Sequence, residues 1–428
     1  MKLAVSLGAI HDSAERCPPP NCHPDTRKAV RQIILDWIRR ESSASSVFWL
    51  YGPAGAGKTA ILQAIAELLC SPSESSQNFG GSFFFSRGKT GRDQGNFLFS
   101  TIAYQLALKV PGLRRLVNRI VELDPTLHTK SMDVQLRALI VDAFRNLLPL
   151  PPHSYLVIID GLDECHDKAA QQSILRLLCE TITVHKLPLR FLIGSRPESH
   201  IRSSFDKESL YTITQRVVLD ETFNPRGDIR VLLRDGFAKI CAENSILSHV
   251  EKPWPKDGII DLLVQRSSGQ FVYAATVLKF VGADFCSPTK QLSLVLKPDP
   301  TAFSDIDHLY TQILSVYPTA VNIVQVLGII ITINKNDSPE VIEDILQMEE
   351  GELKLVLRGL SSLMGENKEF LDNGLTSYTI PPFAHASFLD YLFDSSRSGS
   401  FYVDQQEYKN QVIIRSFALI LQSIRSWR

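Results

Sequence analysis

The sequence predicts an α/β protein in which a parallel sheet flanked by helices is followed by a helical lid and a winged-helix domain. Three observations predict this fold class. Short apolar runs alternate with helical patterns between residues 46 and 220, as in a parallel sheet that is covered on both faces. A Gly-rich loop joins the first apolar run to a helix. Further along, Asn373-Gly374 separates two extended runs after a mainly helical stretch, which is the turn chemistry of a tight hairpin.

Length and charge limit the classes of protein to consider. The chain has 428 residues, a formal net charge of −1 and 44% hydrophobic residues. A chain of this length is too long to fold around a single hydrophobic core, so we expect several domains. Because basic and acidic residues balance, no overall field attracts nucleic acid or an anionic membrane. The apolar stretch 321–333 is too short for a membrane span and is predicted as a buried helix and strand. We therefore expect neither a nucleic-acid partner nor a membrane span.

The cysteines predict a reducing compartment. There are seven, an odd number, and they form no Cys-x-x-Cys pair. Three prolines lie between Cys17 and Cys22, and no cluster of His or Cys completes a zinc site. Scattered thiols in a long chain are typical of intracellular proteins. Because the N-terminus also lacks the apolar core of a signal peptide, we expect a cytoplasmic protein.

The elements of the first half follow from the spacing of their apolar residues. Residues 1–45 are predicted as an N-terminal segment whose helix, 26–41, packs on the next domain through one apolar face. Continuous apolar runs predict the buried strands of the domain 46–220, namely 47–51, 82–86, 155–160, 190–195 and 216–219. Helical patterns predict helices over 58–70, 96–109, 133–148 and 169–184.

The strand pattern nearly stops after residue 220. Residues 221–300 are predicted as a helical lid domain that ends near a Pro-rich segment. Residues 301–428 are predicted as a winged-helix domain with C-terminal helices, because helices precede the hairpin around Asn373-Gly374.

Residues 52–59 fit the pattern G-x-x-x-x-G-K-[ST]. The glycines let backbone N–H groups turn toward phosphates at the start of a helix. In this pattern Lys58 reaches the β- and γ-phosphates, and the Thr59 hydroxyl binds Mg²⁺. The sequence thus predicts a P-loop NTPase with ATP or ADP and Mg²⁺ as cofactors, with GTP left open. The residues expected to bind nucleotide here are Gly52, Pro53, Ala54, Gly55, Ala56, Gly57, Lys58, Thr59 and Ala60.

Acidic residues follow the strand 155–160. Asp160 ends this strand, at the edge of the sheet where ligands bind in open α/β folds. Its carboxylate is predicted to bind Mg²⁺ together with Thr59. Either Asp163 or Glu164 could then orient the attacking water. Arg196 follows the next predicted strand by one residue, where a guanidinium could sense a γ-phosphate. We predict that these four residues carry out catalysis.

The stretches "HPDTRKAVRQIILDWI", "GPAGAGKTAILQAIAE", "VIIDGLDEC", "FLIGSRPESHI" and "FNPRGDIRVLLRDGFAKI" resemble fungal NACHT proteins of the nephrocystin type, within the STAND class of P-loop NTPases. The resemblance covers residues 10–400. It implies a signal-transduction switch in which a helical lid and a winged helix close over ADP. It also implies that the His of an H-x-S-F-x-[DE]-[FY] pattern contacts the β-phosphate, a role that falls on His385. Phe271 stands where related proteins carry a lid proline, so adenine contact from that segment is left open.

Three functions remain possible from the sequence. The first is a nucleotide-controlled switch that hydrolyses slowly, assembles as a homo- or hetero-oligomer with related NACHT proteins, and controls an innate-immunity or incompatibility-like response. The second is an ATPase or GTPase whose turnover is itself the function. The third is a scaffold that nucleotide merely stabilises. Related full-length proteins attach an effector domain before and repeats after this region, so we expect a truncated product, an adaptor or a fragment.

Overall fold

A computed structural model of the chain describes residues 5–40, 45–71, 78–283, 286–297, 304–316, 323–333, 339–364, 369–372, 375–378 and 383–426. The chain divides into two compact units, Met1–Asp228 and Ile229–Arg428. Each unit has its own hydrophobic core. The finer division into four segments stays a prediction.

The first unit contains a parallel sheet of five strands among its described residues. The strands are β1 (Val47–Tyr51), β2 (Phe79–Phe84), β3 (Tyr155–Asp160), β4 (Leu189–Ser195) and β5 (Thr214–Val218). Their order is β2-β3-β4-β1-β5, and each neighbouring pair is parallel. The predicted parallel sheet is confirmed, although β2 and β5 begin and end earlier than the apolar runs suggested. The strand β4 separates β1, which leads into the phosphate loop, from β3, which ends in Asp160.

Helices cover both faces of this sheet. They are α1 (Lys28–Arg39), α2 (Lys58–Cys70), α3 (Leu98–Lys109), α4 (Leu113–Leu123), α5 (Met132–Leu136), α6 (Ala143–Arg145), α7 (Lys168–Thr183), α8 (Ser199–Phe205) and α9 (Glu208–Tyr211). The next helix, α10 (Pro225–Glu243), begins in the first unit, and its buried residues Ile229, Leu233 and Phe237 belong to the core of the second. Successive residues of a strand point to opposite faces, so Phe48 joins the cluster on the side of α1 and α2, whereas Trp49 joins the cluster on the side of α3 and α7. Both faces are buried, which explains the continuous apolar runs.

The second unit is mainly helical in its described residues. Its helices are α11 (Asp257–Ser267), α12 (Phe271–Val281), α13 (Pro288–Leu296), α14 (Asp305–Ser315), α15 (Ile323–Thr332), α16 (Pro339–Leu346), α17 (Glu352–Gly359), α18 (Ala386–Leu392), α19 (Ser395–Ser398) and α20 (Gln405–Ser426). Strands β6 (Glu369–Asp372) and β7 (Leu375–Tyr378) pair antiparallel. The turn Asn373-Gly374 itself lies outside the described residues.

The stretch 321–333 corrects a prediction. A buried helix followed by a strand was expected, but Ile323–Thr332 forms the single helix α15. The β-branched residues that suggested a strand are buried on this helix, where Ile329 is fully buried. Burial in the core of the second unit therefore overrides local strand propensity. No helix in the described part of the chain is both long and apolar enough to cross a membrane.

Candidate functional site

The phosphate loop connects β1 to α2 and takes the backbone shape that its glycines permit. Gly55 and Gly57 have φ values of 73° and 88°, in the left-handed region that side chains with a Cβ disfavour. Gly57 is the N-cap of α2, and no side chain caps the helix there. The first N–H groups of α2 are therefore positioned to bind an anion, and the helix dipole favours negative charge at this end.

Lys58 lies across its own loop. Its Nζ donates to the carbonyl oxygens of Gly52 and Pro53, at 2.8 Å each. Burial lowers the pKa of Lys58, and the nearby carboxylates of Asp163 and Asp160 act in the opposite direction. The ammonium group is thus held at the loop by two carbonyls, which a phosphate could replace as partners.

Asp160 and Thr59 form a pair of oxygen donors that fits Mg²⁺. The Thr59 hydroxyl is near enough to the Asp160 carboxylate to favour its ionised form. Asp160 is 2% exposed, and its Oδ1 has no hydrogen-bond partner among the described residues. Burial raises the pKa of Asp160 to about 6, although Thr59 and the charge of Arg16 favour the ionised form. Hard cations prefer such oxygens, and Mg²⁺ is commonly bound by one or two carboxylates together with substrate phosphates.

The turn after β3 carries two more carboxylates. Gly161 (φ 67°) precedes a short 3-10 helix, Leu162–Glu164, which brings Asp163 and Glu164 next to the end of β3. The Arg87 backbone N–H donates to Glu164 Oε2 at 3.2 Å. Burial, followed by repulsion from Asp163, raises the pKa of Glu164 to about 7. Three acidic side chains therefore converge at the carboxyl end of one strand.

Arg196 pairs with one of these carboxylates. Its Nε lies 3.2 Å from Asp163 Oδ2, and its backbone N–H donates to Asp163 Oδ1 at 2.9 Å. Asp163 is 4% exposed, so this is a largely buried ion pair. The sequence placed Arg196 near a γ-phosphate but did not indicate that Asp163 would hold it.

Gln171 and His200 form hydrogen bonds that stabilise the turn after β3. Gln171, 2% exposed, donates through Nε2 to the Cys165 carbonyl at 2.7 Å. Its Oε1 lies 2.6 Å from His200 Nε2, so His200 must donate from that nitrogen. Sequence reasoning missed both residues, because a single Gln or His within a helix carries no local signal.

His385 belongs to the second unit, where it caps α18. Its Nδ1 accepts the Ser387 backbone N–H at 3.0 Å and lies 2.6 Å from Ser387 Oγ. The Ser387 hydroxyl also lies 2.8 Å from the Tyr310 hydroxyl. Because Nδ1 accepts the cap hydrogen bond, the proton of the neutral ring is on Nε2.

Three buried arginines near the site escaped the sequence analysis. Arg16 donates to Gln63 Oε1 at 2.8 Å, and its guanidinium carbon lies 3.7 Å from the centre of the Phe84 ring. Burial lowers the pKa of Arg16 to about 9, so the group stays charged at neutral pH. Arg92 donates to the Phe84 carbonyl. The third, Arg27, contacts the phosphate loop directly. Each is a single arginine in an irregular segment, a pattern shared with surface arginines.

Comparison with known proteins adds one family. A family model described as "Nephrocystin 3, N-terminal" matches residues 30–196, which include the phosphate loop, the carboxylate turn and Arg196. The first unit has an α/β fold in which the G-x-x-x-x-G-K-[ST] loop joins a strand of the parallel sheet to α2. No curated protein matches the chain significantly.

Two solved structures align with this chain over most of its length. The Aeropyrum pernix Orc1 protein, solved in complex with DNA, is 13% identical with a TM-score of 0.43, and the alignment covers 92% of this chain and 94% of that one. Cdc6p from Pyrobaculum aerophilum is 12% identical with a TM-score of 0.35, covering 93% and 96%. Both similarities are too low to carry an argument about function.

Proposed function

We propose that this protein is a nucleotide-controlled signalling switch of the NACHT class, of the fungal nephrocystin type. It binds ATP or GTP with Mg²⁺, rests with ADP bound, and hydrolyses slowly. The observation that carries the proposal is the buried Asp160 carboxylate, whose Oδ1 has no hydrogen-bond partner among the described residues. It lies near Thr59 of α2, beside a glycine loop whose helix has no side-chain cap. These groups could hold a nucleotide phosphate and its cation in one place.

In this proposal each site residue has a distinct role. The N–H groups of the loop from Gly52 to Ala60 bind the phosphates, and Lys58 exchanges its two carbonyl partners for phosphate oxygens. Thr59 and Asp160 hold Mg²⁺, which when bound offsets the negative charge of the phosphates. Asp163 or Glu164 orients the attacking water, and Arg196 senses the γ-phosphate.

The resting state depends on the second unit. We assign residues 221–300 to a helical lid and 301–428 to a winged-helix domain with C-terminal helices. His385 then donates from Nε2 to the β-phosphate of ADP while its Nδ1 continues to cap α18. Loss of this contact would release a state that associates with itself or with related proteins in the cytoplasm. Such a protein responds to nucleotide because the two states bind it differently.

The first test is the nucleotide content of freshly purified protein. The switch predicts near-stoichiometric ADP after denaturation and ion-exchange chromatography. An empty site with rapid turnover of added ATP or GTP would contradict it and would favour an enzyme whose turnover is the function. This second function is chemically reasonable because three carboxylates lie near the proposed cation site, those of Asp160, Asp163 and Glu164.

The second test is the variant Lys58→Ala. It removes the ammonium group that lies on the phosphate loop. We expect the affinity for nucleotide to fall about 100-fold or more, because charge-assisted hydrogen bonds to phosphate are strong. Titration calorimetry with ADP and Mg²⁺ measures this. Lys28→Ala removes an exposed lysine of the first unit and should leave affinity unchanged. If Lys58→Ala bound ADP as tightly as the unaltered protein, the phosphate-loop assignment would be wrong.

A further inference from the structure

Arg27 joins two segments that are far apart in the sequence. It precedes α1 as the N-cap residue, with a left-handed backbone (φ 57°) and no side-chain cap. Its backbone N–H donates to Asp228 Oδ2 at 2.9 Å, across 201 positions of the chain. Asp228 lies in the first turn of α10 and is the last residue of the first unit. A carboxylate near the N-terminus of α1 also interacts favourably with the helix dipole.

The side chain of Arg27 reaches the phosphate loop. Nη2 donates to the Ala56 carbonyl oxygen at 2.8 Å, and the residue is only 4% exposed. In a planar trans peptide the C=O of one residue and the N–H of the next point in opposite directions. A donor that holds the Ala56 oxygen on the outside of the loop therefore directs the Gly57 N–H toward the inside, where a phosphate binds.

The two residues of this peptide differ in their surroundings. Ala56 is 3% exposed and belongs to a core cluster, whereas a Cβ built on Gly57 would have no atom within 4 Å. Gly57 has a φ of 88°, and glycine adopts positive and negative φ with similar ease. A hydrogen bond to the Ala56 carbonyl therefore restricts the orientation of the peptide on its glycine side. Arg27 supplies that hydrogen bond from a buried, charged donor, and charge-assisted hydrogen bonds are stronger than neutral ones.

We propose that Arg27 is a positioning residue that holds the Ala56–Gly57 peptide with its N–H facing the phosphate, and that Asp228 holds Arg27 in place. This inference rests on the proposed nucleotide binding. It makes the affinity for nucleotide depend on the first turn of α10, which does not belong to the phosphate loop. In this role Arg27 acts through the peptide and not through a phosphate.

The test is the affinity of the full chain for ADP with Mg²⁺ after Arg27→Ala, measured by titration calorimetry. We expect affinity to fall about tenfold or more, the loss of one hydrogen bond from a charged donor. Arg27→Lys, which can still donate to the Ala56 carbonyl, should recover part of the affinity. Free guanidinium ion at millimolar concentration should restore binding to Arg27→Ala, since it can occupy the space left by the side chain. A purely structural defect would not respond to added guanidinium.

The controls separate this inference from the proposed function. Lys28→Ala removes the neighbouring positive charge, which is exposed and pairs with Asp25, and should bind ADP normally. If the unaltered protein bound no nucleotide, the proposed function would fail. If it bound nucleotide and a folded Arg27→Ala bound equally well, only the positioning role would be overturned. Weakened binding that guanidinium leaves unchanged would also overturn that role.

Asp228 gives a second, independent readout. Asp228→Ala removes the acceptor for the Arg27 backbone N–H, and we expect ADP affinity to fall by about threefold, less than for Arg27→Ala. In the double variant, the fold-loss of ADP affinity should be smaller than the product of the two separate fold-losses, because both changes act through the same peptide. Unchanged affinity in Asp228→Ala would overturn the part assigned to Asp228.

Discussion

At the scale of single residues, the carboxyl groups of Asp160 and Glu164 are difficult to ionise in the folded protein. Burial raises their pKa values to about 6 and about 7. Both folded-state values lie above those of exposed carboxyl groups. The folded protein therefore binds these protons more tightly than the unfolded chain does.

This difference predicts how stability depends on pH without nucleotide. A raised pKa contributes stability that is fully present below the unfolded-state value and is lost as pH rises through the folded-state value. Between pH 5.5 and 8, we expect the Tm of the nucleotide-free protein to fall by a few degrees. Calorimetric scans across this range measure the effect.

The variant Glu164→Gln isolates one carboxyl group. It should flatten the decline of Tm between pH 5.5 and 8, because the amide has no proton to lose. Glu243→Gln changes an exposed acid of α10 and should keep the full decline. A Glu164→Gln protein with the same slope as the unaltered chain would show that this carboxyl group is not the source.

At the scale of elements, the placement of β4 decides how the site is assembled. It lies between the strand that leads to the phosphate loop and the strand that ends in Asp160. Gly194, near the end of β4, leaves the space into which the Asp160 carboxylate points. A Cβ at Gly194 would lie 2.5 Å from Asp160 Oδ1 and would collide with Leu62 Cδ1.

We therefore predict that Gly194→Ala both destabilises the protein and displaces Asp160. Overpacking in a dense core costs about 1–3 kcal/mol, which denaturant unfolding can measure. The shifted carboxylate should also weaken the Mg²⁺ dependence of nucleotide binding.

Gly258→Ala is the matched control for this change. It adds the same methyl group within α11, where no atom lies within 4 Å of the new Cβ. Its stability should be unchanged or slightly higher, because alanine favours helix. Equal stability of the two variants would contradict the close contact at Gly194.

Most elements of the first unit could be predicted from sequence, because a run such as "VFWLY" has one physical explanation when both faces are buried. The helix α4 was missed although Leu113, Val117 and Val121 already mark a helical stripe. The π-helical segment Arg137–Asp142 has no such sign, since a shift of hydrogen-bond register changes no apolar spacing. Arg27 was missed for a different reason: its partners are set by tertiary contacts across the chain.

At the scale of the whole molecule, the division into two units predicts the pattern of thermal unfolding. The units have separate hydrophobic cores, so we expect two transitions in a calorimetric scan. A ligand that binds only folded protein raises the transition of the unit that it contacts. If His385 contacts ADP bound by the first unit, ADP should raise both transitions.

The variant His385→Ala tests this arrangement. We expect it to weaken ADP binding, to confine the ADP-induced rise to one transition, and to promote self-association that light scattering detects. His249→Ala, an exposed histidine of the same unit, should behave as the unaltered protein. A monomeric His385→Ala protein with unchanged ADP affinity would contradict the proposed role of His385.

If the protein is the proposed switch, the ion pair between Arg196 and Asp163 affects how it distinguishes nucleotides. A γ-phosphate that attracts Arg196 must compete with a carboxylate that already neutralises it. The preference for triphosphate over diphosphate is then the difference between two similar attractions, and it is small even if each attraction is large. Modest selectivity would let cellular ADP and ATP concentrations, rather than intrinsic affinity, set which nucleotide is bound.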